Sequence, residues 1–296
     1  MKTVRTIEEL RRIVGLWKKN NASVGFVPTM GFLHEGHESL IRRATKDNDR
    51  VVVSIFVNPA QFSPSEDLDR YPRDLEHDLE RCKTLGVDLV FCPEVEEVYP
   101  AGFQTVVSVN SLSQSLCGKS RPTHFQGVCT VVSKLFVIVD ANRAYFGQKD
   151  AQQLAIIRRM TRDLNFTVEI VSCPTIRESD GLAKSSRNKY LTTEERKVAP
   201  ALNQALQLAE EAVEAGARDS TALRQLMEEH LSAVPLIHTD YLEIVDADSL
   251  QPVQKLSSST LIAAAVFLGK TRLIDNRLLE PKTKNESESL LQASQA

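Results

Sequence analysis

A doubly wound α/β domain with a parallel sheet, followed by a smaller α+β C-terminal domain, is the fold class this sequence predicts. Three observations carry it. From Ile7 to Val171, short β-prone apolar runs alternate with segments whose apolar residues recur at three and four, the pattern of strands and helices in a parallel sheet. The run Val51 to Val57 is almost continuously apolar, as a strand buried on both faces requires. After Pro174 the alternation stops, and two helical stretches precede three strand-like ones. We therefore expect a Rossmann-like domain over residues 1–174, a smaller α+β lid over 175–281, and a polar, disordered tail over 282–296.

The elements follow in order. Ile7, Leu10, Ile13, Val14 and Trp17 predict a helix over residues 7–20 that covers one side of the sheet. Val24 to Val27 is a first strand, and Leu40, Ile41 and Ala44 mark a helix from Glu38 to Lys46; with the strand Val51 to Val57 they make a βαβ unit. Asn58-Pro59 breaks that strand and leaves Gln61 and Phe62 at its C-terminal end, where open parallel sheets bind ligands. A helix from Leu75 to Leu85 and a strand from Val87 to Phe91 continue the pattern, and Thr105 to Val109 reads as an extra strand. The polar loop Gly118 to Gly127 precedes a helix with Val128, Val131, Val132, Leu135, Phe136 and Val139 on one face. Ala144-Tyr145-Phe146 delivers Gly147 to Asp150 to the same end of the sheet, and Val168 to Val171 closes it. Beyond Pro174 come the long polar loop Thr175 to Asn188, helices near 194–216 and 219–232, and strands near 240–245, 260–267 and 271–274.

Composition limits the function classes. A chain of 296 residues, 42% hydrophobic and 25% charged, is long enough for one large or two modest packed domains. Its net charge of −3 argues against a protein that lives on nucleic acid or on an anionic membrane, so phosphate binding must be local. The five cysteines are odd in number, scattered and free of Cys-x-x-Cys pairs, which fits reduced core thiols better than a disulfide framework or a zinc site. With no apolar signal region and no run of 18 apolar residues, a soluble cytoplasmic protein is expected.

The chemistry concentrates in Pro28-Thr-Met-Gly-Phe-Leu-His-Glu-Gly-His37, a strand-to-helix turn. Gly31 and Gly36 permit close approach of the backbone to a ligand, and the free N–H groups of the following helix attract phosphate. His34 and His37, three apart, share a side and can donate to phosphate oxygens. A lone His-x-x-His is more often a pair of surface histidines; a metal site would need further ligands, and no such cluster lies nearby. The ten-residue string is far more specific than the pair alone.

This string resembles the signature of the nucleotidyltransferase superfamily and, more narrowly, of the pantothenate synthetase (pantoate–β-alanine ligase) family. The Ile55 to Phe62, Arg121 to Phe125, Phe146 to Asp150, Asp180 to Asn188 and Arg272 to Asn276 segments extend the resemblance over roughly residues 22–277. It implies condensation of pantoate with β-alanine through a pantoyl adenylate, consuming ATP with Mg2+, in a homodimer acting on small molecules only. It also implies roles residue by residue. Met30, Gly31, His34 and His37 would hold the nucleotide and its α-phosphate, with His37 matching the residue usually assigned as proton donor. Gly147, Gln148, Lys149, Asp150 and Ile176 would complete the nucleotide site, and Ser185, Ser186 and Arg187 would bind the β- and γ-phosphates. Gln61 and Gln153 would bind pantoate, Gln61 lying also near β-alanine.

Two positions depart from the family's pattern. Lys184 stands where Met or Leu is common, so its ammonium either adds a phosphate contact or is solvated; Cys117 stands where some relatives carry Glu and is given no role. Asp74, Glu76, Asp78 and Glu80 read as a solvated helical face, and Arg121 to Phe125 as a loop serving a subunit contact more than the site. The competing readings are an adenylyltransferase acting on a phosphate, a nucleotide sensor that binds ATP without consuming it, and a truncated aminoacyl-tRNA synthetase. The first lacks the Asn58 to Phe62 loop, the second needs no histidine pair, and the third calls for a basic surface.

Overall fold

The computed structural model describes residues 1–63 and 68–280, so the tail expected from Lys282 lies outside the described residues. The chain divides into two compact units. Met1–Glu178 and Ala183–Asn188 form the first; Ser179–Leu182 and the described residues from Lys189 to Glu280 form the second. The division thus falls after Glu178 rather than after residue 174, and the segment 183–188 returns to the first unit.

The first unit contains β1 (Lys2–Val4), α1 (Ile7–Lys19), β2 (Val24–Thr29), α2 (Glu35–Asp47), β3 (Arg50–Ile55), α3 (Leu75–Thr84) and β4 (Leu89–Phe91). It continues with the short α4 (Val95–Val98) and α5 (Cys117–Ser120), then α6 (His124–Val139), β5 (Arg143–Gly147), α7 (Ala151–Asp163) and β6 (Glu169–Cys173). The strands lie in the order β1-β4-β3-β2-β5-β6, all pairs parallel. From β2 the chain connects outward to β3 on one side, and from β5 it connects outward to β6 on the other. The C-terminal ends of β2 and β5 therefore flank a topological switch point, the crevice where open α/β sheets bind ligands.

Local chemistry starts the helices. Thr6 accepts from Glu9 N ahead of α1, and Asp74 accepts from His77 N ahead of α3. Val27, Val51, Val53, Ile41 and Ala44 are buried in the contact between the sheet and α2.

Two strand assignments differ from expectation. β1 pairs with β4 through Lys2↔Leu89 and Val4↔Phe91, a strand of three residues that is too short to show a period. Thr105 to Val109 is not a strand: Val107 N donates to Thr130 Oγ1 at 3.0 Å and Val106 is 59% exposed, so the segment satisfies its backbone on α6 instead of a neighbouring strand.

The second unit packs α8 (Thr193–Val198), α9 (Ala201–Glu214) and α10 (Ser220–Ser232) with an antiparallel sheet of β7 (Ile237–Asp246), β8 (Thr260–Leu268) and β9 (Thr271–Leu279). The single helix expected over 194–216 is two helices, because Pro200 has no N–H to continue the first. Leu202, Leu206, Leu223, Met227, Ile262 and Ala264 form its core. Among the described residues, no helix is long and apolar enough to cross a membrane.

Candidate active site

The site begins where β2 ends. After Thr29 the chain takes two left-handed residues, Gly31 at φ +81° and Phe32 at φ +54°. A left-handed Phe costs roughly 1–2 kcal/mol, and three hydrogen bonds hold the turn in that shape. Thr29 Oγ1 accepts from Gly31 N at 3.1 Å, while the two Asp78 oxygens accept from Phe32 N and Leu33 N, each at 2.7 Å. A Cβ on Gly31 would stand 2.9 Å from Asp78 Oδ2 and from Ile55 Cγ2, so only glycine fits. Asp78 is 1% exposed, which overturns its reading as part of a solvated face: α3 turns this one carboxylate inward beneath the loop.

The turn delivers His34 as the N-cap of α2. Its Nδ1 accepts from Gly36 N at 3.1 Å, and His37 Nδ1 accepts from His34 N at 3.4 Å. This is a capping box made of two imidazoles. A neutral ring that accepts at Nδ1 carries its proton on Nε2, so each histidine keeps one N–H to donate elsewhere. The ring centroids lie 4.1 Å apart. Burial, reinforced by the charge of Lys149, lowers His34 to about 4; burial and the neighbouring His34 lower His37 to about 3. Both are neutral at pH 7.

That neutrality has a measurable sign. The unfolded histidines titrate near 6.5, so below that pH the unfolded chain binds more protons than the native one. The contribution is fully present above about 6.5 and is lost as pH falls towards 4. We expect the unfolding free energy, measured in urea between pH 6 and 5, to fall with a slope about two protons steeper than in a His34→Gln/His37→Gln variant. Equal slopes would contradict neutral histidines.

β3 leads into Asn58, whose Oδ1 accepts from Ala60 N at 3.3 Å and from Tyr99 Oη at 2.8 Å. Its Nδ2 donates to Gln61 Oε1 and to Gly127 O, both at 3.1 Å, and Gln61 Nε2 donates to Met30 Sδ at 3.1 Å. Gln61 is thereby fixed beside the β2 turn. His124 Nδ1 donates to Gln61 O at 2.9 Å, so the loop expected to serve a subunit contact packs against this part of the site. Gly127 lets α6 approach: a Cβ there would lie 2.2 Å from Ala60 O. Gly127→Ala should therefore destabilise the fold by about 2–3 kcal/mol, since backbone rather than a flexible side chain must yield. A urea midpoint unchanged from the parent would show that the turn relaxes freely.

β5 delivers Gly147 to Asp150. Lys149 Nζ lies 3.7 Å from Asp150 Oδ2. Desolvation acts to raise the Asp150 carboxyl, but the cations Lys149 and Arg187, with smaller contributions from the neighbouring His124 and His37 rings, outweigh it and hold the group below the usual carboxylate range. Asp150 thus gathers four groups from four separate stretches of chain. Gln153 is half-buried on the first turn of α7, and the fully buried amide there belongs to Gln152, which bonds Cys117 N, Leu112 O and Ser115 O and braces that loop.

The returning segment 183–188 is tied by the Arg177↔Ala183 bridge and by Lys184 N donating to Ile176 O at 2.9 Å. Ser185 Oγ accepts from Arg187 N at 3.3 Å. Lys184 is neither solvated nor free for phosphate: its ammonium lies 2.9 Å from both Glu35 and Glu178. Sequence reasoning missed Asn58, Asp78 and His124. Asn58 carried the one available signal, its place at a strand's C-terminal end.

All five cysteines are buried thiols outside any disulfide, and burial pushes Cys82 up to about 12 and Cys92 and Cys129 up to about 11. Among the described residues, no group of three or more His, Cys, Asp or Glu side chains could hold a metal ion.

Comparison with known proteins agrees with this geometry. The family model for pantoate-beta-alanine ligase matches residues 2–278. Pantothenate synthetase of Enterococcus faecalis is 56% identical over 276 residues, 93% of this chain and 98% of that protein. The crystal structure of pantothenate synthetase from Thermus thermophilus superposes with a TM-score of 0.90 at 49% identity, covering 96% of this chain and 100% of that one. Pantoate-beta-alanine ligase from Francisella tularensis, solved in complex with beta-gamma ATP and β-alanine, gives a TM-score of 0.78 at 35% identity over 95% of this chain and 100% of that one. A match over nearly the whole length, on a fold whose switch point carries the histidine-capped turn, places this chain in the pantoate–β-alanine ligase family.

Proposed function

We propose that the crevice between β2 and β5 makes pantothenate in two half-reactions, with the histidine-capped turn as the phosphate site. The observation that carries this reading is the pair of neutral Nε2–H donors at the start of α2. A carboxylate is a poor electrophile, so an amide forms at neutral pH only after activation. Pantoate oxygen attacks the α-phosphorus of ATP, the bond to pyrophosphate breaks, and the His34 and His37 donors meet the charge that builds on the α-phosphate. The neutral amine of β-alanine then attacks the acyl carbon; AMP leaves with the bonding pair and the amine loses a proton.

The remaining roles follow the chemistry of each group. Met30, Gly31, Gly147, Gln148 and Ile176 line the nucleotide, and Asp150 accepts from ribose hydroxyls. Lys149, Ser185, Ser186 and Arg187 hold the β- and γ-phosphates, arginine through its planar fork. Gln61 and Gln153 bind pantoate, because an amide both donates to a carboxylate and accepts from a hydroxyl; Gln61 also faces β-alanine. Magnesium enters with ATP, carried by phosphate oxygens and water. We further propose a cytoplasmic homodimer, the buried thiols outside any disulfide fitting a reducing compartment.

The test is isotope exchange of pyrophosphate into ATP with magnesium. Exchange that depends on pantoate and proceeds without β-alanine is expected, with steady AMP release once β-alanine is added. Folded, ATP-binding protein that shows no exchange would exclude the adenylate route.

A further inference from the structure

We propose that Lys184 is a positioning residue: held between Glu35 and Glu178, it fastens the Ser185–Arg187 segment to the first turn of the helix that carries His37. The geometry is specific. The ammonium lies 2.9 Å from an oxygen of each carboxylate and the lysine side chain is 18% exposed, against 60% for Glu35 and 31% for Glu178. The three charges come from two places in the chain. Glu35 follows the His34 cap at the start of α2, whereas Glu178 and Lys184 sit on opposite arms of a turn closed by the Arg177↔Ala183 bridge.

Lys184 and Glu35 therefore each sit one residue from a group of the site. A pull on Lys184 moves Ser185, and a shift of Glu35 moves His34. Backbone bonds of the segment run from Lys184 N to Ile176 O and from Asn188 N to Ser185 O, both local, whereas the Lys184–Glu35 pair reaches across to α2. Charge favours this arrangement over a phosphate contact. Hydrogen bonds to the two carboxylates raise the pKa of Lys184, which keeps it protonated. Moving it onto a triphosphate would leave both carboxylates facing the same anion without their cation, a like-charge arrangement that disfavours ATP. Lys184 acts through Ser185 to Arg187 rather than on the nucleotide.

The inference rests on the reading of Ser185 to Arg187 as phosphate ligands, so the experiment separates the two. Amide hydrogen exchange over residues 183–188 is measured without nucleotide in the parent, Lys184→Met, Glu35→Gln and Lys184→Arg, together with kcat and the ATP KM. Lys184→Met and Glu35→Gln should each speed exchange in this segment and raise the ATP KM about fivefold, with kcat changed less. Lys184→Arg spans both carboxylates and should keep parental values. Unchanged exchange in the Met and Gln variants overturns the proposal, and a raised KM with unchanged exchange does so in favour of a direct phosphate contact. Arg187→Ala reports on the underlying reading: an unaffected ATP KM there removes the phosphate role, while the exchange result still decides whether Lys184 fastens the segment.

Discussion

Asp78→Ala should destabilise the first unit by about 3 kcal/mol and cost most of the adenylate-forming activity at the same time. The size follows from what is lost: two charge-assisted hydrogen bonds at 2.7 Å, and two loop amides deprived of their carboxylate acceptors in a place that water barely reaches. The αL conformation of Phe32 leans on these bonds. Released, the loop relaxes towards ordinary backbone angles and carries the His34 cap with it, and a displacement of about 1 Å at reacting groups can cost roughly a hundredfold in rate. Asp78→Asn should behave nearly as badly, since its amide can accept from one N–H but presents a donor to the other. Urea unfolding and pyrophosphate exchange on the same samples check both halves. A loss below about 1 kcal/mol would mean that Thr29 and Ile55 suffice to shape the turn.

The same carboxylate shows where sequence stops being readable. The His34-x-Gly36-His37 turn was legible because its parts are contiguous: strand, glycine, cap and donors lie close together along the chain, and the capping geometry is local. Asp78 was not, because its partners are backbone amides 45 and 46 residues earlier, which have no identity in a sequence, and its neighbours Asp74, Glu76 and Glu80 look like solvent-facing charge. Lys184 failed for a related reason. Its spacing from Glu178 says nothing until the Arg177↔Ala183 bridge folds them together, and Glu35 is far away in the chain. The parallel sheet itself was legible from buried apolar runs, whereas β1 was too short to carry a period. Thr105 to Val109 alternates like a strand but finds the hydroxyl of Thr130 in place of a neighbouring strand. Pattern predicts what a segment offers, and tertiary structure decides what accepts it.

His37→Ala should lower kcat for pantoate-dependent pyrophosphate exchange by about 10²–10³, the usual cost of removing one donor aimed at developing charge. The useful comparison is His37→Gln. If His37 works as a neutral hydrogen-bond donor, a glutamine amide that reaches about as far as Nε2 should restore a substantial part of the loss, because it also donates without being charged. If His37 instead delivers a proton, glutamine cannot replace it and the two variants should be equally slow. The structure favours the first outcome. His37 Nδ1 is engaged by His34 N, and burial beside His34 holds the imidazole near 3, so at neutral pH the free enzyme presents an N–H but no imidazolium. The pH profile of kcat/KM gives an independent reading, since it reports ionisations of the free enzyme. A donor that is already neutral adds no descending limb between pH 6 and 8, whereas a required imidazolium would make the rate fall about tenfold per pH unit across that range.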